Sequence, residues 1–303
     1  MESATLRRPP ALPELIRLGL IGLLLLLAVL AWALTDDRMQ GMDAGPGTDL
    51  GTLGFFITTW VVMMSAMMFP SIAPMVLMYA RIENGRREQG KSAPAGATAV
   101  FIGGYLITWA AAGLVGYAIF DIARSLSIDA FSWDRGGPYL AGGVIVLAAL
   151  YQLTPLKDAC LRKCRNPMVF LLTSWRSGRE GALRMGIEHG AWCVGCCWAL
   201  MVALFALGIM SLGWMAFIAA LIAIEKLLPW RAVANRGVAV LLLALGIAVA
   251  FAPENVPGLT LPDSPQAASA MHRMGMDMQQ RDSMPGDAAN PGGMSGDDMS
   301  GQH

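Results

Sequence analysis

Seven stretches of the chain are apolar with no polar face: residues 15–34, 53–80, 97–120, 138–156, 182–210, 212–228 and 235–252. A helix rises 1.5 Å per residue, and about 20 apolar residues cross the ~30 Å hydrocarbon core of a bilayer. Each stretch therefore predicts a transmembrane helix. No alternation of the kind a half-buried strand leaves competes with them, and in hydrocarbon the backbone must satisfy its own hydrogen bonds. The expected fold is all-α, a polytopic transmembrane helical bundle of about seven spans. The last two stretches are short enough to lie tilted. The fifth and sixth nearly touch, which predicts a tight hairpin. Ala31-Trp32-Ala33 resembles a signal-peptidase site. The apolar run before it is long for a signal peptide, so an uncleaved anchor is expected; cleavage would leave six spans.

Polar positions between the spans set the orientation. Lys and Arg in alternate intervals number 17 on one side and 5 on the other, and the richer side faces the cytoplasm. This predicts a cytoplasmic N-terminus and a C-terminal tail outside. Three regions follow. Residues 1–50 hold the N-terminal stretch, first anchor and outer loop; 51–252 form a six-helix membrane core; 253–303 are rich in Pro, Gly, Asp, Ser and Met and read as a disordered tail. Residues 157–181 read as a basic cytoplasmic loop, with 168–175 apolar enough to lie along the interface.

Composition agrees and removes alternatives. The 303 residues are 55% hydrophobic and 15% charged, against roughly 25% charge in soluble domains. A net charge of zero excludes the basic footprint of a nucleic-acid binder, and five cysteines are too sparse for a disulfide scaffold. No P-loop appears, so ATP-driven pumping by this chain alone is not expected. No internal repeat suggests an inverted-repeat transporter. The unusual number is 21 methionines.

The fifth span carries the densest chemistry. Met185, His189, Cys193 and either Cys196 or Cys197 are spaced three or four apart and form one stripe. A lone intramembrane cysteine reads as a small buried hydrophobe; three within five residues, one turn from a histidine, read as donors for a soft metal such as copper(I). Glu188 lies on a neighbouring face and is expected to pair with Arg184. The second span holds six methionines, and Met63, Met64 and Met67 lie at the depth expected for Cys193 and His189. Methionine is ordinary core filler, but Pro70 and Pro74 interrupt the backbone ladder nearby. The two spans are therefore expected to pack together and share one site, with Gly186, Gly190 and Gly195 as the seam. Cys160 and Cys164, in the basic interval, read as a separate cytoplasmic hand-off point. Outside the membrane, Met271, Met274, Met276 and Met278 flank His272 in a tail that has no core for thioethers to fill.

Several blocks occur in order: Trp60-x2-Met63-x3-Met67-Met68-x-Pro70-Ser71-x2-Pro74-Met75; Gly104-Tyr105-Leu106-x2-Trp109; Tyr151-Gln152-Leu153-Thr154-Pro155-Leu156-Lys157-x2-Cys160-Leu161-x2-Cys164; Arg184-Met185-Gly186-x2-His189-Gly190-x2-Cys193-Val194-Gly195-Cys196-Cys197-Trp198-x2-Met201; and Glu225-Lys226. Over roughly residues 50–250 this series resembles the bacterial family of predicted metal-binding integral membrane proteins, a domain of unknown function sometimes labelled copper chaperone. The resemblance implies a membrane protein that binds metal and supplies no reaction.

The function expected is copper(I) handling in the membrane, as chaperone for cuproenzyme assembly or in transport, with the bilayer, the ion and a cuproenzyme or soluble copper carrier as partners. The chain is not expected to be an enzyme. The competing classes are a membrane thiol–disulfide oxidoreductase using Cys193 and Cys196, and a non-catalytic assembly subunit. Deleting residues 271–303 is expected to lower the copper(I) bound per chain without abolishing it, as measured by equilibrium dialysis of the purified protein.

Overall fold

A computed structural model describes residues 12–39, 52–91, 94–125, 136–209, 211–228 and 230–261, together with Ser264, Ser269 and His272. Among them the chain is helical, with no strand: α1 (Leu12–Met39), α2 (Leu53–Glu88), α3 (Ala97–Ser125), α4 (Gly137–Tyr151), α5 (Pro155–Arg165), α6 (Pro167–Ser174), α7 (Gly178–Leu207), α8 (Leu212–Leu227) and α9 (Arg231–Phe251). Apolar runs become helices because no other local structure satisfies the backbone without water. Among the described residues, five stretches are long and apolar enough to cross a membrane: Leu18–Met39, Leu53–Glu88, Ala97–Ile122, Gly178–Leu207 and Ala232–Phe251. With 16 residues, α8 is only ~24 Å long.

The fourth apolar stretch departs from expectation. It does not run as one helix to residue 156. It stops at Tyr151, bends by 66°, and restarts as α5. The cause is local. Pro155 disfavours helical geometry at the residue before it, and Thr154 is extended at φ −77° and ψ 146°. Its hydroxyl then caps the new helix by accepting from the Lys157 N–H at 3.3 Å, while Pro155 fills the first helical position, where no donor is needed. The bent pair is long enough to count as a sixth crossing.

The interval expected to be a cytoplasmic loop is therefore mostly helix. Lys157, Cys160, Leu161 and Cys164 share one face of α5; the first three are buried and Cys164 is half-buried. Asp158 and Arg162 point away, half-exposed, with an N–O distance of 3.5 Å between them. The short helix α6 buries Phe170 and Leu171 and leaves Met168, Val169 and Leu172 exposed. Residues 253–261, expected to begin a disordered tail, instead form a 3-10 turn at Pro253–Asn255 and dock on α8, where the Trp214 indole N–H donates to the Gly258 carbonyl at 2.9 Å. The remainder of the expected disordered tail, apart from Ser264, Ser269 and His272, lies outside the described residues.

The partner of α7 also differs from expectation. The glycine seam exists, but Gly186 and Gly190 face α3, and Gly195 faces α5. A methyl group on Gly186 would collide with the Phe101 carbonyl, one on Gly190 would lie 2.7 Å from the Thr108 side chain, and one on Gly195 would lie 2.9 Å from the Cys160 sulfur. Gly104 returns the fit from α3 against the Leu183 carbonyl. Meanwhile α2 passes unbroken through Pro70 and Pro74 and is anchored to α3 by the Trp60 indole, which donates to the Trp109 carbonyl at 2.8 Å. Methionine is too long and flexible to let backbones touch, whereas glycine requires it.

Gly186→Ala is expected to destabilise the protein by about 1–3 kcal/mol, because backbone rather than a movable side chain blocks the added methyl. Gly103→Ala, with open space at its position, is expected to be neutral. Thermal unfolding in detergent micelles compares the two.

Candidate metal centre

Helical spacing puts Cys193 and Cys196 on one side of α7, and the bend after Tyr151 brings α5 alongside them. The sulfurs of Cys164, Cys193 and Cys196 all lie within 4.8 Å of one another. Cys193 and Cys196 are buried, and Cys164 is half-buried. The Tyr151 hydroxyl donates to the Gly195 carbonyl at 2.6 Å, tying the end of α4 to the same turn of α7.

Cys193 is the most connected of the three. Its sulfur lies 3.1 Å from the Tyr105 hydroxyl and 3.0 Å from the Lys226 ammonium. Its carbonyl accepts from the thiols of Cys196 at 3.1 Å and Cys197 at 3.0 Å. Lys226 also reaches the Ser71 hydroxyl at 3.4 Å and the Met68 sulfur at 3.9 Å. Beside it, Glu225 takes Lys157 as partner at 2.6 Å, both almost wholly buried. Arg165 donates to the Glu225 carbonyl at 2.9 Å and also to the Leu228 carbonyl, closing the C-terminal end of α8, where free carbonyls favour a cation.

The remaining expected donors are distributed around this knot. Cys164 belongs to the cluster and is not a separate hand-off point. Cys160 is buried one turn away, against Gly195. Cys197 is buried with its thiol turned to its own helix. His189 sits one turn below Cys193 in an aromatic box, with ring centroids 5.3 Å from Phe170 and 6.1 Å from both Phe101 and Tyr105. Its Nδ1 is buried with no hydrogen-bond partner, an arrangement that leaves one soft-metal donor free. The Met185 sulfur accepts from the Arg176 N–H at 3.3 Å, which fixes the α6–α7 turn. Met64 and Met67 are buried in the core, while Met63 lines a separate cavity with Met39, Phe56, Thr59, Trp60 and Ile209. Of the methionines of α2, Met68 is the one whose sulfur meets the knot. Met271, Met274, Met276 and Met278 lie outside the described residues, and His272 is exposed. The expected Glu188–Arg184 pair does not form: Arg184 pairs with Glu180 at 2.6 Å, and Glu188 accepts from the Ser174 hydroxyl at 2.9 Å.

Sequence reasoning missed Tyr105, Lys226 and the Lys157–Glu225 pair as parts of a site, although each stands in the motif blocks. The available signal was cost: a lysine and a glutamate in apolar surroundings need partners. Chemically, three thiols converging from two helices suit a soft, low-coordinate cation.

Lys157→Met alone is expected to cost about 3–5 kcal/mol, because it leaves Glu225 buried without its partner, whereas Lys157→Met with Glu225→Leu is expected to recover most of that loss. Chemical or thermal unfolding of the two variants measures the difference.

No curated protein matches the chain, and no solved structure does. A family model described as PpoB2, copper chaperone, matches residues 57–249. That stretch runs from α2 into α9 and contains every sulfur of the centre. With more than half of its residues inside the match, the chain belongs to the copper chaperone family.

Proposed function

We propose that the protein is a copper(I) chaperone of the bacterial inner membrane, holding the ion as cargo at Cys164, Cys193 and Cys196 and passing it to a cuproenzyme under assembly or to a soluble carrier. The observation that carries this reading is the convergence of the three sulfurs within 4.8 Å. Thiolate donors in low coordination select Cu(I) over harder ions. His189, with its unpartnered Nδ1, is a reserve donor next to the centre.

In the membrane the chain makes seven crossings, α8 being the sixth. The N-terminus is cytoplasmic and the C-terminal tail lies outside. Burial of Lys157 and Lys226 removes two residues from the charge count that orients the chain, leaving 15 basic residues against 5, still a strong asymmetry. Met271, His272, Met274, Met276 and Met278 then stand outside as collectors of the ion, since thioethers bind Cu(I) without needing to lose a proton. A thiol–disulfide exchange enzyme would use Cys193 and Cys196 alone and leave Cys164 without a role.

The test uses full-length protein, reduced and loaded with Cu(I) against a colorimetric chelator. Removing residues 271–303 is expected to leave about one tightly held ion per chain, the low-coordinate number that three thiolates supply. The Cys164→Ser/Cys193→Ser/Cys196→Ser variant of the same truncated protein is expected to lose that ion. A truncated wild type that holds none would rule the reading out, and reversible loss of two thiols under a mild oxidant would then favour exchange chemistry.

A further inference from the structure

Lys226 is buried, and its environment is wrong for a lysine. An ammonium has three N–H donors and ordinarily meets carboxylate, carbonyl or water oxygen. The neighbouring carboxylate, Glu225, is committed to Lys157 at 2.6 Å. The hydrogen-bond partners of the Lys226 nitrogen are the Cys193 sulfur at 3.0 Å, the Ser71 hydroxyl at 3.4 Å and the Met68 sulfur at 3.9 Å, and Cys164, Cys196 and Tyr105 also lie within electrostatic reach of it. Two sulfurs and a hydroxyl around one positive charge are poor partners for a hard, strongly hydrated ammonium and good ones for a soft metal ion.

We infer that Lys226 is a tethered stand-in for the cargo: its ammonium occupies the cation position between Cys193 and Met68, and copper(I) loading displaces it, making Met68 a thioether ligand of the filled centre. The inference rests on the copper(I) reading above and deepens it. The ion brings one positive charge as another is pushed aside, and each thiol that becomes a thiolate ligand releases its proton. A divalent ion would bring one charge more than the ammonium it displaces, and in apolar surroundings that is costly. The displaced side chain belongs to the last turn of α8, whose carbonyl-rich end favours a cation. Ser71, which also donates to the Met68 carbonyl at 2.9 Å, holds the loop of donors together on the α2 side.

Copper K-edge absorption and chelator competition on the full-length protein, reduced and in detergent, test this. Met68→Leu is expected to weaken Cu(I) binding about tenfold or more and to remove one sulfur from the first shell of the loaded ion. Met64→Leu and Met67→Leu are expected to change neither. Lys226→Ala, checked for folding by thermal melting, is expected to bind Cu(I) more tightly than wild type, because no ammonium has to be displaced. Ag(I) is expected to compete for the site and excess Zn(II) not to. The inference is overturned if wild type binds Cu(I) while Met68→Leu leaves affinity and sulfur count unchanged, if folded Lys226→Ala binds the ion no more tightly, or if Zn(II) competes as well as Ag(I). A wild-type protein that binds no Cu(I) overturns the functional reading and this inference with it. The absorption spectrum of wild type against Met68→Leu needs no lysine variant, so a misfolded Lys226→Ala leaves the inference open to refutation.

Discussion

The ion pair between Lys157 and Glu225 holds the centre together. Both groups are out of water, and the distance is 2.6 Å. Such a pair adds little net stability compared with an apolar replacement, but losing one partner is costly. Its effect is therefore positional. Lys157 lies on the same face of α5 as Cys160 and Cys164, so pinning Lys157 to α8 also fixes where the Cys164 sulfur stands. Arg165 repeats the tie at the far end of α5 by donating to the Glu225 carbonyl at 2.9 Å. On the other side, α7 is fixed by glycine contacts with α3 that leave no room for adjustment. The thiol cluster forms where these two constraints meet.

The 66° bend between α4 and α5 makes that meeting possible. A straight continuation of α4 would carry Cys160 and Cys164 elsewhere, since a helix fixes its axis from the first turn. Breaking a span within the bundle exposes backbone groups, which are tolerated where protein satisfies them. Here Thr154 caps the restart and accepts one of the freed N–H groups, while the Tyr151 hydroxyl donates across to the Gly195 carbonyl. Gln152 sits at the break, buried, with both side-chain amide atoms unpartnered. The broken span thus concentrates polar atoms at the level where α7 carries its cysteines.

Much of this was legible in the residues and some was not. The helices could be read from hydrophobic runs, because length in hydrocarbon leaves one solution for the backbone. The Cys193 and Cys196 stripe followed from helical spacing alone. The break at Thr154-Pro155 was also written in local chemistry, but an apolar run reaching Leu156 masked it, since hydropathy does not register a missing N–H. The place of Cys164 could not be read, because it depends on a bend and on a distant carboxylate at Glu225. Depth was a poor guide to which helices touch: Met64 and Met67 are buried in the core, while α3, with its glycine at position 104, takes the place beside α7.

Rigidity is unequal across the centre, and this bears on how an ion would be exchanged. Cys193 and Cys196 belong to a long helix locked on both sides, and both are buried. Cys164 lies in the last turn of an 11-residue helix and is the only one of the three residues that is not fully buried. A chaperone must bind tightly yet release, and ligand-for-ligand exchange meets both needs if one donor lets go before the others. Of the three donors, the one on the short helix is the one least firmly held. Lys226, its ammonium 3.0 Å from the Cys193 sulfur, supplies a positive charge where water cannot reach.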